Sequence, residues 1–142
     1  YPLRRQRQMC IRDRDKVASV DALKGKRVGV QNGTTHQKYL GEKLADIKVV
    51  PYDSYQNAIL DLKNGRIDAV FGDTAVVNEW LKQNPNLAPL GEKVTDKAYF
   101  GTGLGIAVRQ GNTELQGKFN AALDKVKADG TYKTIYSKWF QQ

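Results

Sequence analysis

The stretch KRVGVQNGTTHQ, from Lys26 to Gln37, puts groups that can hold a small anion at the start of a helix. Arg27 to Val30 reads as a short apolar strand, and Thr34 and Thr35 stand where the next helix should begin. The first turn of a helix has N–H groups without intrahelical acceptors and carries the positive end of the macrodipole. Gly33, just before it, lets a ligand approach the backbone, and the threonine hydroxyls add donors. A carboxylate or a phosphate suits such a place. The same residues also describe a plain strand–turn–helix join with Thr34 or Thr35 as N-cap. Further along, Gly72-Asp73-Thr74 follows a second apolar strand and supplies a carboxylate. Donors for a carboxylate together with Asp73, an acceptor for an ammonium, have a direct use in holding a zwitterionic amino acid. Asp73 can equally serve as a helix N-cap, and the two roles compete for the same oxygens.

The surrounding chain predicts the elements that position these groups. A helical turn at Ser19–Leu23 ends at Gly25, and a strand follows at Arg27–Gln31. A helix over Thr34–Ala45 turns Tyr39, Leu40 and Leu44 inward, and Gly41 weakens it by ~1 kcal/mol relative to alanine. A second strand covers Lys48–Tyr52. The next helix starts near Ser54, buries Ala58, Ile59 and Leu62, and stops at Asn64-Gly65. The third strand is Ile67–Phe71. The helix after Asp73 carries Val76, Val77, Trp80 and Leu81 inward and ends before Pro85. A short strand is expected at Leu87–Leu90, then a polar loop over 93–100. Alternating strands and helices with short connections imply an α/β fold with a doubly wound, mostly parallel sheet. Ligands of such sheets sit beyond the carboxyl ends of the strands, where both Gln31–Thr35 and Gly72–Thr74 fall.

Gly101-Thr102-Gly103-Leu104-Gly105 superficially resembles a dinucleotide fingerprint. Its last interval is too short, and a strand at Leu104–Arg109 is expected after it instead of a helix, so it is rejected. A helix at Thr113–Asp129 has Thr113 and Gln116 as a capping box and an apolar stripe of Leu115, Phe119, Ala122, Leu123 and Val126. A final helix at Thr131–Phe140 carries Tyr132, Ile135, Tyr136 and Trp139 at helical spacing, a pattern expected of core.

Composition narrows the function. With 142 residues, 40% hydrophobic and 27% charged, the chain can build a real core. No apolar run approaches the ~18 residues needed to span a bilayer. No apolar segment of a secretory signal follows the basic N-terminus, so an export signal, if used, is missing from this chain. The net charge of +8 is concentrated: residues 1–16 hold six basic and two acidic side chains, half of the excess. The single cysteine, Cys10, also lies there. No disulfide or cysteine metal site is therefore possible after it. One histidine, His36, excludes most metal sites and catalytic triads. No catalytic residue, metal or cofactor is expected.

Residues 1–14, YPLRRQRQMCIRDR, have neither hydrophobic periodicity nor capping signals. They are expected to be a disordered leader, and RRQRQMCIRDR resembles a translated sequencing adapter, which would make it non-native. The rival reading, a basic arm for nucleic acid, finds no nucleic-acid reader after it.

The segments LKGKRVGVQNGTTHQ, VVPYDSYQNAILDLKNGRIDAVFGDTAVV, YFGTGLGIAVRQ and ADGTYKTIYSKWF resemble the second half of periplasmic substrate-binding proteins for polar amino acids, the arginine type above all. The resemblance runs from about Val17 to Gln142. It implies a periplasmic binding protein-like clamshell of two lobes that closes on an amino acid, most likely L-arginine or another basic one, and delivers it to an ABC permease. It implies a periplasmic, ligand-binding protein, monomeric when complete, with no nucleic-acid partner. Residues 15–103 would be the second lobe. Residues 104–142 would be a returning hinge strand and C-terminal helices of an incomplete first lobe. A crossing strand would lie just upstream of Asp15. By the family pattern Thr34 and Thr35 hold the ligand carboxylate through hydroxyls and backbone N–H, Asp73 takes the ammonium, and Gln31 and His36 line the pocket. The family's arginine, aromatic sandwich and acidic side-chain readers lie in a segment absent here, which makes this chain resemble a truncated reading frame. Their loss is expected to remove at least ~4 kcal/mol and turn micromolar binding into millimolar. Two other classes were weighed: an enzyme on the same scaffold, for which only His36 and Asp73 offer chemistry, and the effector lobe of a transcription regulator, for which the leader shows no helix-turn-helix pattern.

Overall fold

A computed structural model describes residues 7–12, 19–101 and 105–140. The chain divides into two compact units, Tyr1–Gly103 and Leu104–Gln142. The first is built on a sheet of β1 (Arg7–Arg12), β2 (Arg27–Gln31), β3 (Lys48–Tyr52), β4 (Ala69–Asp73) and β5 (Leu87–Val94). Their order across the sheet is β3-β2-β4-β1-β5. β2 runs parallel to β3 and β4, whereas β1 is antiparallel to β4 and β5. Four strands thus point one way and β1 the other. The helices of this unit are α1 (Thr35–Lys43), α2 (Tyr55–Lys63), α3 (Thr74–Gln83) and the single turn α4 (Lys97–Phe100).

Strand alternation separates two cores, one on each face of the sheet. Met9, Ile11, Val28, Val30, Ala69 and Phe71 point to the face covered by Leu40 of α1 and Phe100 of α4. Cys10 and Val70 point to the other, where Ala58, Ile59 and Leu62 of α2 and Val77 of α3 pack. Helix starts follow local chemistry. Ser54 accepts a hydrogen bond from Asn57 N–H to cap α2, and Asp96 accepts one from Ala98 N–H to cap α4. At the far end of the sheet, Asp68 Oδ2 accepts from Arg27 N–H at 2.8 Å and from its Nε at 3.3 Å. Burial opposes the Asp68 carboxylate, but these bonds outweigh it and hold its pKa below the ordinary value.

The largest departure from expectation concerns the leader. Residues 7–12 are not disordered; they form β1 in the slot between β4 and β5, with Cys10 level with Val70 and Pro89. A strand of the sheet thus stands upstream of Asp15. The physical reason is the triad Met9-Cys10-Ile11. All three side chains are buried, alternating between the two cores. Such burial is worth ~1.5–3 kcal/mol per large apolar side chain, and a three-residue run is too short to show as periodicity. The other leader residues fall outside the described ones.

Smaller corrections have local causes. β4 begins and ends two residues later than expected, so Gly72 and Asp73 belong to the strand. Ile67 and Asp68 precede it. Val76 is exposed, while Val77 faces the core with Trp80 and Leu81 packed around it. β5 continues to Val94, and the segment expected as a polar loop contains α4, started by the Asp96 cap and held by the buried Phe100.

In the second unit, the expected hinge strand starts at Leu104, outside the described residues, and residues 105–109 have no regular structure. α5 (Thr113–Ala128) is capped by Asn112, which accepts from Leu115 N–H; the expected Thr113–Gln116 box is not used. α6 (Thr131–Phe140) follows a turn in which Asp129 accepts from Thr131 N–H. The stripe of α6, expected as core, is open, with Ile135 and Trp139 53% and 67% exposed, and no residue of α5 is buried.

Two outcomes test this architecture. Burial pushes the Cys10 thiol up to about 12, against the opposing effect of a hydrogen bond with the Val70 backbone. Cys10 should therefore resist a thiol-specific dye at pH 8 in native protein and react fully in denaturant; rapid native labelling would place residues 7–12 outside the sheet. Backbone amides of α5 and α6 should exchange with deuterium faster than those of β2 and β4, because opening costs least where few apolar groups are buried.

Candidate functional site

The carboxyl ends of β2, β3 and β4 lie at one edge of the sheet because the three strands are parallel neighbours. Val28 pairs with Ala69 and Gly29 with Val70 in one ladder, and Gln31 with Tyr52 in the other. β1 enters at the same edge, Arg7 standing level with Asp73. The turn after β2 is fixed from within. Asn32 N–H donates to the Tyr52 carbonyl at 2.8 Å, and Gly33 N–H donates to Gln37 Oε1 at 2.9 Å. Gly33 has φ +70°, a left-handed conformation that glycine alone adopts without strain.

Thr34 is the N-cap of α1. Its hydroxyl donates to the Gln31 carbonyl at 2.7 Å and accepts from Gln37 N–H at 3.5 Å. Thr35, the first helical residue, is exposed, and its side chain makes no hydrogen bond among the described residues. The N–H groups of Thr35 and His36 belong to the first turn and have no acceptor within the helix. Backbone donors and the Thr35 hydroxyl are thus what this turn offers an anion, while the Thr34 hydroxyl is committed to the turn itself.

His36 faces inward. It is 5% exposed, its ring edge-on to Phe71 at 5.5 Å and beside Phe100 at 5.6 Å and Tyr55 at 6.4 Å between centroids. Its Nε2 lies 4.0 Å from Asp73 Oδ1. Asp73 ends β4 as the N-cap residue of α3, yet its side chain makes no capping bond there. Its side chain is 38% exposed. Of the six sequence-predicted site residues, Gln31, Thr34 and Gly33 form the turn, and Thr35 opens the helix. His36 and Asp73 join the turn to the neighbouring strand end.

Three aromatic residues were missed. Tyr55 lies on Gly72, where a Cβ would stand 3.3 Å from its ring, and its ring is tilted against Trp80 with centroids 4.9 Å apart. A side chain at 72 would press on that ring, which would have to give by a few tenths of an ångström. Phe71 and Phe100 complete the wall around His36. Tyr55 had a usable signal: it follows the carboxyl end of β3, which the strand-end rule assigns to the same crevice. Phe100 had none, because the segment before it reads as polar loop.

This arrangement can be set against known proteins. The pattern of the bacterial extracellular solute-binding proteins, family 3, matches residues 24–142, and the chain belongs to that family. It is 76% identical over 127 residues to the putative ABC transporter arginine-binding protein 2 of Escherichia coli K12, an alignment covering 89% of this chain and 52% of that protein. Identity to the ABC transporter arginine-binding protein 1 of the same organism is 61% over 132 residues, covering 93% and 54%. A solved Salmonella typhimurium periplasmic binding protein of high arginine specificity superposes with TM-score 0.83 at 49% identity, over 96% of this chain and 60% of that one. The chain spans about half the length of the curated relatives it matches.

The two threonines should separate on mutation. Thr34→Ala removes both hydroxyl bonds of the turn and should lower stability in urea denaturation by about 1 kcal/mol. Thr35→Ala should stay within about 0.5 kcal/mol of the parent. Equal losses would show that Thr34 does not hold the turn.

Proposed function

We infer that the chain carries the amino-acid site of a periplasmic solute-binding protein that supplies an ABC importer, with L-arginine or another basic amino acid as ligand. The observation that carries this reading is the juxtaposition of the first turn of α1 with the Asp73 carboxylate, spanned by the 4.0 Å approach of His36 to Asp73. An α-carboxylate would take the N–H groups of the turn and the Thr35 hydroxyl, and the α-ammonium would take Asp73. Gln31, Gly33 and Thr34 would shape the turn, with Tyr55 forming a wall. The preference for arginine rests on the named ligand of the relatives. The permease partner, the periplasmic location and a monomeric state belong to the same proposal. The chemistry required is binding and release, and no step of it calls for a cofactor.

Calorimetric titration with L-arginine, then lysine, ornithine, histidine and glutamine, tests it. The titrations are run on this chain and on a chain joined to the preceding half of an arginine-binding relative. Asp73→Ala should weaken binding roughly 10- to 100-fold, the loss of one charge-assisted hydrogen bond of ~1.5–3 kcal/mol. No heat with any of the five amino acids in either form, or an unchanged affinity in Asp73→Ala, would overturn the reading.

A further inference from the structure

The contact between His36 and Asp73 has a consequence for how the site responds to acid. We propose that His36 is a positioning residue for Asp73 and that the two form a proton-linked pair: a proton taken up by the buried imidazole turns its contact with the Asp73 carboxylate into an ion pair that competes with a cationic ligand group for the same carboxylate. The ligand part of this rests on the function proposed above.

The geometry supports the pairing. Nε2 stands 4.0 Å from Oδ1, close enough for a strong charge interaction and too far for a good hydrogen bond with the imidazole as placed. The imidazole is held by rings from three elements: Phe71 of β4, Phe100 of α4 and Tyr55 of α2. Its freedom to turn away from Asp73 is small. Water screens this interaction poorly on the imidazole side, because His36 is 5% exposed, whereas the Asp73 side chain is open enough to meet a ligand.

The other titratable groups on the packed elements are less direct. α2 contributes the Tyr55 phenol, its ring centroid 6.4 Å from the imidazole. α4 carries Lys97 and Tyr99, with Asp96 at its cap, and the Tyr99 hydroxyl is bonded to Glu42 of α1. α1 also carries Lys38 and Tyr39, whose phenol is raised by burial and then by the charge of Asp96. Both tyrosines of this group stay neutral below pH 8. β1 sets Arg7 level with Asp73 in the strand ladder, and among the described residues Asp73 is the acid whose carboxylate lies 4.0 Å from the imidazole.

The signs follow from charge alone. The Asp73 carboxylate favours the imidazolium, so removing it lowers the midpoint of His36. A ligand ammonium on Asp73 acts in the same direction, because it neutralises the carboxylate and adds a positive charge nearby. Linkage then requires the reverse effect: protonated His36 weakens the ligand by the same factor. A midpoint lowered by about one unit on ligand binding corresponds to a tenfold loss of affinity between the deprotonated and protonated forms.

Because His36 is the single histidine of the chain, NMR follows its imidazole without assignment. In ligand-free protein, Asp73→Asn should lower the His36 midpoint by about one unit. Asp73→Ser gives the same reading if the amide variant does not fold. An unchanged midpoint in the folded variant overturns the proposal. Saturating L-arginine should lower the wild-type midpoint further, and affinity should fall several-fold from pH 8 to pH 5.5 in wild type but not in His36→Gln. An equal pH slope in both would also overturn it. If L-arginine does not bind at all, the ligand reading fails separately, and the ligand-free titration alone decides whether the pair exists.

Discussion

The site depends on one ladder of hydrogen bonds, the parallel pairing of β2 with β4. Val28 against Ala69 and Gly29 against Val70 fix the offset of two strands whose carboxyl ends carry the turn at 31–34 and the carboxylate of Asp73. In a sheet, a slip of one residue turns every side chain to the other face. Here that would exchange Val28, Val30 and Phe71 with the residues between them and break both cores. Core packing therefore specifies the register, and the register brings the helix start beside the acid. The tie from Asp68 to Arg27 locks the opposite end of the same ladder.

β1 extends this logic. Between β4 and β5 the sheet needs a strand with apolar side chains on both faces, because each face is covered by helices. Met9, Cys10 and Ile11 meet that need with three residues, and the antiparallel direction brings the start of β1 level with Asp73. The sheet centre is thus sealed by the segment with the weakest sequence signal. α5 and α6 present the contrary case. Their stripes have the right period, yet period alone does not supply a surface to cover, and Leu115, Phe119 and Leu123 stay partly exposed.

What was legible in the sequence follows the same division. The α/β alternation, the start of β2, and the ends of α2 were readable because propensity, caps and burial agree there. Gln31, Gly33, Thr34, Thr35 and Asp73 could be placed on two strand ends because those ends follow from the alternation. The two-residue shift of β4 was not readable: Ile67 and Val70 are both apolar, and only the pairing with β2 decides where the ladder runs. The inward position of His36 was not readable either. Its burial involves Phe100, brought in from a segment that looks like loop. The α5 cap shows the limit at finer scale, since Asn112 and Thr113 are both good caps and geometry chooses the first.

Two residues of the site had competing roles, and the structure assigns them in opposite ways. The Thr34 hydroxyl is used twice within its own turn, so it stiffens the donors of α1 and has no proton left to offer. Asp73 holds the corresponding position before α3 and makes no side-chain cap, although aspartate is among the best capping residues. Leaving that cap unmade costs α3 about 1 kcal/mol. The carboxylate instead faces His36 and remains over a third exposed. A fold that only needed to start two helices would use both side chains alike. The asymmetry gives one strand end a rigid set of backbone donors and the other a carboxylate that does not cap its own helix. Two such ends, side by side, are what a molecule carrying both charges requires.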